Sequence, residues 1–137
     1  MRPSLHGGGG ILRVILPVLV ALFALAGPRP ALSQDAATAE AGNREIEALI
    51  ASVAQLSDVT FLRNGKSYSA ATAARFLREK WQSRESEVRS ADEFIDRIAS
   101  FSSTTSKPYL IRFADGREVS SAEYLRAELA KLRAKAP

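Results

Sequence analysis

Apolar residues fall at helical spacing in four stretches of the chain. Ile46, Leu49, Ile50, Val53 and Leu56 share one side of a first helix, predicted to begin near Arg44. Ala70, Ala74, Leu77 and Trp81 mark a second, flanked by Ala73, Phe76 and Lys80, with Ser69 in the N-cap position. A third opens on Ser90-Ala-Asp-Glu93, in which the serine and glutamate satisfy each other's free backbone donors, and continues through Phe94, Ile95, Ile98 and Phe101. The fourth opens on the same pattern at Ser120-Ser-Ala-Glu123 and presents Tyr124, Leu125, Leu129 and Leu132.

Between these helices the period shortens to two. Val59–Arg63 leads through Asn64-Gly65 into Lys66–Tyr68, and Tyr109–Phe113 leads through Ala114-Asp115-Gly116 into Arg117–Val119. Asn-Gly and Asp-Gly supply the positive φ angles of tight hairpin turns. A lone two-stranded hairpin is marginal in water, so the two are expected to pair. The predicted class is α+β, with four helices packed around a small antiparallel sheet made from two short hairpins. Ile-Ala-Ser recurs at 50–52 and 98–100, and both hairpins run into a serine-capped helix. The halves therefore read either as a weak helix-hairpin-helix duplication or as two similar local solutions.

Residues 1–33 follow a different logic. Arg2 and Arg13 precede an uncharged run from Val14 to Ala26, and Gly27, Pro28 and Pro30 then break any helix. Ala31-Leu32-Ser33 places small residues on either side of a leucine ahead of Gln34. A basic start, a short apolar run and a small-x-small site form the pattern of a cleaved secretory signal peptide. The run also falls short of the roughly 20 apolar residues that a membrane-spanning helix needs. The expected product is periplasmic or secreted, cut between Ser33 and Gln34 and without a stable membrane span. Small polar residues 34–43 read as a flexible tail, and 44–135 as a single compact domain.

Cleavage changes the electrostatic picture. The whole chain carries 19 basic and 15 acidic residues, for a formal charge of +4. Arg2, Arg13 and Arg29 leave with the leader and no acid does, so 16 basic residues face 15 acidic ones. That balance offers no case for nucleic acid, whose binding calls for clustered Lys and Arg. His6 leaves too, and the chain has no cysteine. Histidine-dependent nucleophile systems and cysteine-histidine metal sites are thereby excluded from the mature chain, and no metal or cofactor is expected.

The segment Phe61-Leu-Arg-Asn-Gly-Lys-Ser-Tyr68, together with Ala91-Asp-Glu-Phe-Ile95 and the serines before Tyr109, resembles the YfeK-like family of small exported bacterial proteins. The resemblance runs from about Glu45 to Leu132. It implies export and one compact domain, and it brings no activity, because that domain is of unknown function. Lys107 stands where the related pattern has a glycine before the tyrosine.

Two segments carry candidate chemistry. Arg63 at the first turn can present its planar fork to a carboxylate or phosphate, with Asn64 and the Tyr68 hydroxyl beside it. The alternative is a structural turn in which Tyr68 packs on the core and a surface acid holds Arg63. The run Ser100–Ser106 sets six hydroxyls ahead of Lys107 and Tyr109. Ser102, Ser103 and Lys107 are the candidates for a Ser–Lys nucleophile, against a polar connection that satisfies helix-terminal carbonyls. Asp92, Glu93 and Asp96 complement a helix N-terminus without a readable calcium loop. On balance the sequence favours a non-catalytic binding or accessory module. Its partner would be a periplasmic protein or an envelope ligand. An envelope-directed hydrolase using Ser/Lys or carboxylate groups is the alternative.

Overall fold

A computed structural model describes Pro3 and residues 32–137. The expected leader lies outside the described residues, apart from Pro3 and the helical backbone of Leu32 and Ser33. The elements run α1 (Leu32–Ala54), β1 (Val59–Arg63), β2 (Lys66–Tyr68), α2 (Ala70–Gln82), α3 (Ala91–Phe94), β3 (Leu110–Phe113), β4 (Glu118–Ser120) and α4 (Ser121–Lys135). A 3₁₀ turn at Glu85–Glu87 precedes α3, and a π-helical segment, Ile95–Ala99, continues it. The fold is α+β, as expected. The two hairpins join through β1 and β3 into one antiparallel sheet of order β2-β1-β3-β4, so each half of the chain supplies one side of it.

Residues 34–43, expected as a tail, are instead the first turns of α1. Their small side chains include four alanines, the strongest helix former, and they add no apolar stripe that periodicity could detect. The stripe itself behaves as predicted: Ile46, Leu49, Ile50 and Val53 are fully buried and Leu56 packs partly buried against the core. Gly42 explains how the helix enters its place, since a Cβ there would lie 2.2 Å from the carbonyl oxygen of Arg89. Only a glycine lets α1 pass so close to the segment before α3.

Alternation orders the sheet. Phe61 pairs with Tyr68 on one side and Ile111 on the other, and Ile111 pairs with Val119. This row crosses all four strands; Phe61 and Ile111 are buried, and Tyr68 and Val119 pack against the same core. Arg112 and Glu118 pair directly opposite each other and form an exposed ion pair of 2.6 Å.

The caps and turns follow the sequence with three differences. The hydroxyls of Ser69, Ser90 and Ser120 accept from the amides of Thr72, Glu93 and Glu123. Glu93 returns its carboxylate to the amide of Arg89, one residue before the expected cap, and at the fourth helix only the serine half of the expected pair forms among the described residues. The first turn has positive φ at both Asn64 and Gly65 (52° and 76°), which suits a type I′ hairpin. In the second turn only Gly116 is left-handed, at 83°. Its amide bonds to the carbonyl of Phe113, whose own amide bonds to the carbonyl of Arg117. This is a three-residue loop with glycine in the bulge position, so Asp115 needs no positive φ and instead accepts from the amide of Arg117.

The third helix departs most from expectation. It is α-helical for four residues and π-helical for five, and Phe101, expected on its apolar side, is 52% exposed. The chain leaves the helix at Ser100, and Phe101 instead bridges to Pro108 across the following loop. Among the described residues, no helix is long and apolar enough to cross a membrane.

Candidate functional site

Strand parity places Arg63 where a core residue would stand. Val59, Phe61 and Arg63 share one side of β1, and Phe61 is buried beneath the sheet. Arg63 comes at the end of the strand, where that side runs out over α2. Its guanidinium carbon lies 4.2 Å from the centre of the Phe76 ring, within cation–π range. Burial of this cation against an aromatic ring replaces the surface acid anticipated as the structural alternative. Among the described residues no carboxylate pairs with Arg63.

The ring of Phe76 also meets Tyr109 edge-on, at 6.0 Å between centroids and 85° between planes. Beyond Tyr109 lies Lys80, whose ammonium is 5.1 Å from the tyrosine ring and donates to its hydroxyl at 3.3 Å. The same ammonium donates to the carbonyls of Ile98 (2.8 Å) and Phe101 (2.9 Å). Lys80 thus ties the end of the π-helical segment to α2, so its stem packs among apolar residues but its head is held by protein oxygens. Burial, with Arg84 and Arg63 nearby, lowers its pKa to about 8. Burial likewise raises Tyr109, opposed by the positive charge of Arg63, and so favours the neutral phenol.

Arg63, Tyr68 and Tyr109 line a single cleft of about 160 Å³ between the first hairpin and α2. Phe61, Leu62, Ala73 and Leu77 provide much of its apolar wall, and Ser121 from the start of α4 closes it. Arg75 and Glu79 also line it and make an exposed pair at 3.9 Å. Phe76, Lys80 and Ser121 were absent from the sequence-derived site. Phe76 was legible in principle, because it flanks the apolar stripe of α2. Lys80 and Ser121 become relevant only through contacts from residues 18 to 29 positions away and through burial.

The remaining candidates divide. Asn64 donates to the Ser102 hydroxyl at 3.1 Å and accepts from Thr105 Oγ1 at 2.5 Å. These bonds clasp the serine-rich loop to the first turn, and bring Asn64 and Ser102 together as positioning residues. Ser102 is 1% exposed, whereas Ser103 and Lys107 are exposed. Among the described residues no hydrogen bond joins a serine hydroxyl to the Lys107 ammonium. The loop does serve helix carbonyls, through Ser100 Oγ on the carbonyl of Ile95. Its left-handed residue is Ser106 (φ 56°), so Lys107 occupies the position of the related pattern's glycine without a positive φ.

The acidic group at α3 is spent on ion pairs. Asp96 meets Arg126, Glu93 meets Arg97, and Asp92 shares Arg133 with Glu45 of α1. No group of three or more His, Cys, Asp or Glu residues among those described is placed to hold a metal ion.

Comparison with known proteins adds kinship without chemistry. The family described as a family of unknown function, DUF5329, matches residues 40–133. Over 64 residues the chain is 41% identical to a protein named Uncharacterized protein YfeK from Salmonella typhimurium, a stretch covering 47% of this chain and 53% of that one. The chain therefore spans about half the length of that curated relative. No solved structure matches it.

Proposed function

We propose, from the premise that the chain belongs to the DUF5329 family of unknown function, that it is an exported, non-catalytic binding module whose site is the cleft between β1–β2 and α2. One observation carries this reading: an arginine without an acid partner among the described residues is stacked on Phe76 inside an apolar-walled cleft. A cation half-withdrawn from water is costly unless something compensates it, and a bound anion would supply that compensation. Export, to the periplasm or beyond the cell, is supported by the basic start, short apolar run and small-x-small site of residues 1–33.

Two measurements test the two parts. Intact mass of the chain recovered from its host should correspond to a start at Gln34; a product still beginning near Met1 refutes export. Addition of a low-molecular-weight envelope extract to the isotope-labelled chain should move the amide signals of Arg63, Tyr68, Phe76 and Tyr109, and Arg63→Ala should abolish the movement. Shifts that survive in the variant, or that fall elsewhere, place binding outside this cleft.

A further inference from the structure

Three buried side-chain polar atoms lack a hydrogen-bond partner among the described residues: Arg63 Nε, Ser121 Oγ and Trp81 Nε1. Two of these three residues line the same cleft. Ser121 is 1% exposed; its amide donates to the carbonyl of Tyr109 at 2.8 Å, but its hydroxyl has no partner among the described residues. Buried polar groups in proteins are normally paired, and two orphans on residues that line one cavity point to an acceptor there.

The surroundings narrow what that acceptor is. Phe76 covers one face of the Arg63 guanidinium and the Tyr109 hydroxyl lies beside its N–H groups, so a planar, forked partner would approach in the guanidinium plane next to Tyr109. The Tyr109 hydroxyl accepts from Lys80, so its own proton is free to be donated onward. Lys80 is committed to two backbone carbonyls and does not line the cleft. Arg75 and Glu79 at the cleft offset each other. A single cation without an acid partner on the cleft wall suits a monoanion, whereas a phosphate dianion would bring a second, unpaired charge against apolar walls. The volume sets the rest of the ligand: a cavity of about 150 Å³ takes a benzene ring, and this cleft offers about 160 Å³.

We infer that the cleft binds a small aryl carboxylate, its carboxylate on Arg63 and its single ring between Phe61 and Phe76. This rests on the cleft being the binding site and specifies the chemical class it accepts. The test is a titration of the isotope-labelled full chain with benzoate, benzyl alcohol, acetate, inorganic phosphate and phenyl phosphate. Benzoate should give saturable shifts at Arg63, Phe76, Tyr109 and Ser121. Benzyl alcohol and acetate should each bind about tenfold more weakly or worse, since each lacks one half of the match. Arg63→Lys keeps the charge and the fold but loses the fork, and should weaken benzoate about tenfold. Ser121→Ala should weaken it by a smaller factor. Equal binding of benzyl alcohol and benzoate overturns the inference, as does stronger binding of either phosphate; both leave the cleft itself standing as the site. Silence of these residues to all five probes, with the envelope extract still moving them, overturns the ligand class alone. Silence to the probes and the extract together removes the cleft.

Discussion

Substitution of Gly42 by alanine sets two opposing effects against each other at one position. Alanine in place of glycine within a helix stabilises it by about 1 kcal/mol through propensity alone. Against that, the new Cβ would meet the Arg89 carbonyl oxygen at 2.2 Å, its carbon at 3.2 Å and the Ser90 Cα at 3.3 Å. Ordinary contact begins at 3.4 Å, so the oxygen must retreat by more than an ångström. The neighbouring chain is poorly able to follow. Val88 and Ala91 are buried on either side, and the Arg89 amide and Ser90 hydroxyl are both bound to Glu93. Overpacking of this kind costs about 1–3 kcal/mol, and here the contact is with backbone and not with a movable side-chain tip. A backbone clash of this depth belongs at the upper end of that range, so it outweighs the propensity gain and a net loss of about 2 kcal/mol is expected. For a domain of this size each kcal/mol lowers the midpoint of thermal unfolding by about 4–8 °C. Circular dichroism melts of the wild type, Gly42→Ala and Ala36→Gly measure it. Ala36 is exposed on the same helix, and its glycine variant should lose about 1 kcal/mol if residues 34–43 are helical in solution. A Gly42→Ala midpoint at or above the wild-type value would refute the close approach of α1 to Arg89. An Ala36→Gly midpoint unchanged from wild type would return 34–43 to a tail.

Lys80 and Asn64 give independent checks. In the unfolded chain Lys80 returns to its ordinary pKa of 10.5, above the folded value of about 8. The unfolded state therefore binds more protons between those values, so the stability of the wild type relative to Lys80→Met should be flat below pH 8 and rise above it. Tyr109, raised by burial, acts in the opposite direction from about pH 10, so the comparison is made between pH 8 and about 9.5. A difference that falls with pH in this window would show that Lys80 is not withdrawn from water. Asn64→Ala removes a side chain that suits positive φ and that holds both Ser102 and Thr105. It should cost about 1–3 kcal/mol and raise hydrogen exchange across 102–107. Unchanged exchange there would mean that the loop stays docked without the clasp.

The elements of this protein were largely determined by its sequence, because they depend on neighbours within a few positions. Stripes at Ile46–Val53 and Ala70–Trp81, serines at 69, 90 and 120, and an Asn-Gly turn each act through local spacing and local hydrogen bonds. Parity along β1 even put Arg63 on the side of Phe61. Tertiary structure decided the rest, since it depends on which distant groups meet. The Arg89 carbonyl requires a glycine at position 42, and carbonyls from the π-helical segment take up Lys80. Asn64 reaches 38 residues along the chain to Ser102, and Ser121 comes to lie at the cleft that Arg63 and Phe76 define. Phe101 illustrates the division: its spacing continued the apolar side of a regular helix, but the chain turned at Ser100 and left the ring in water. Helical periodicity reports a preference, and burial is settled only when the other elements have taken their places.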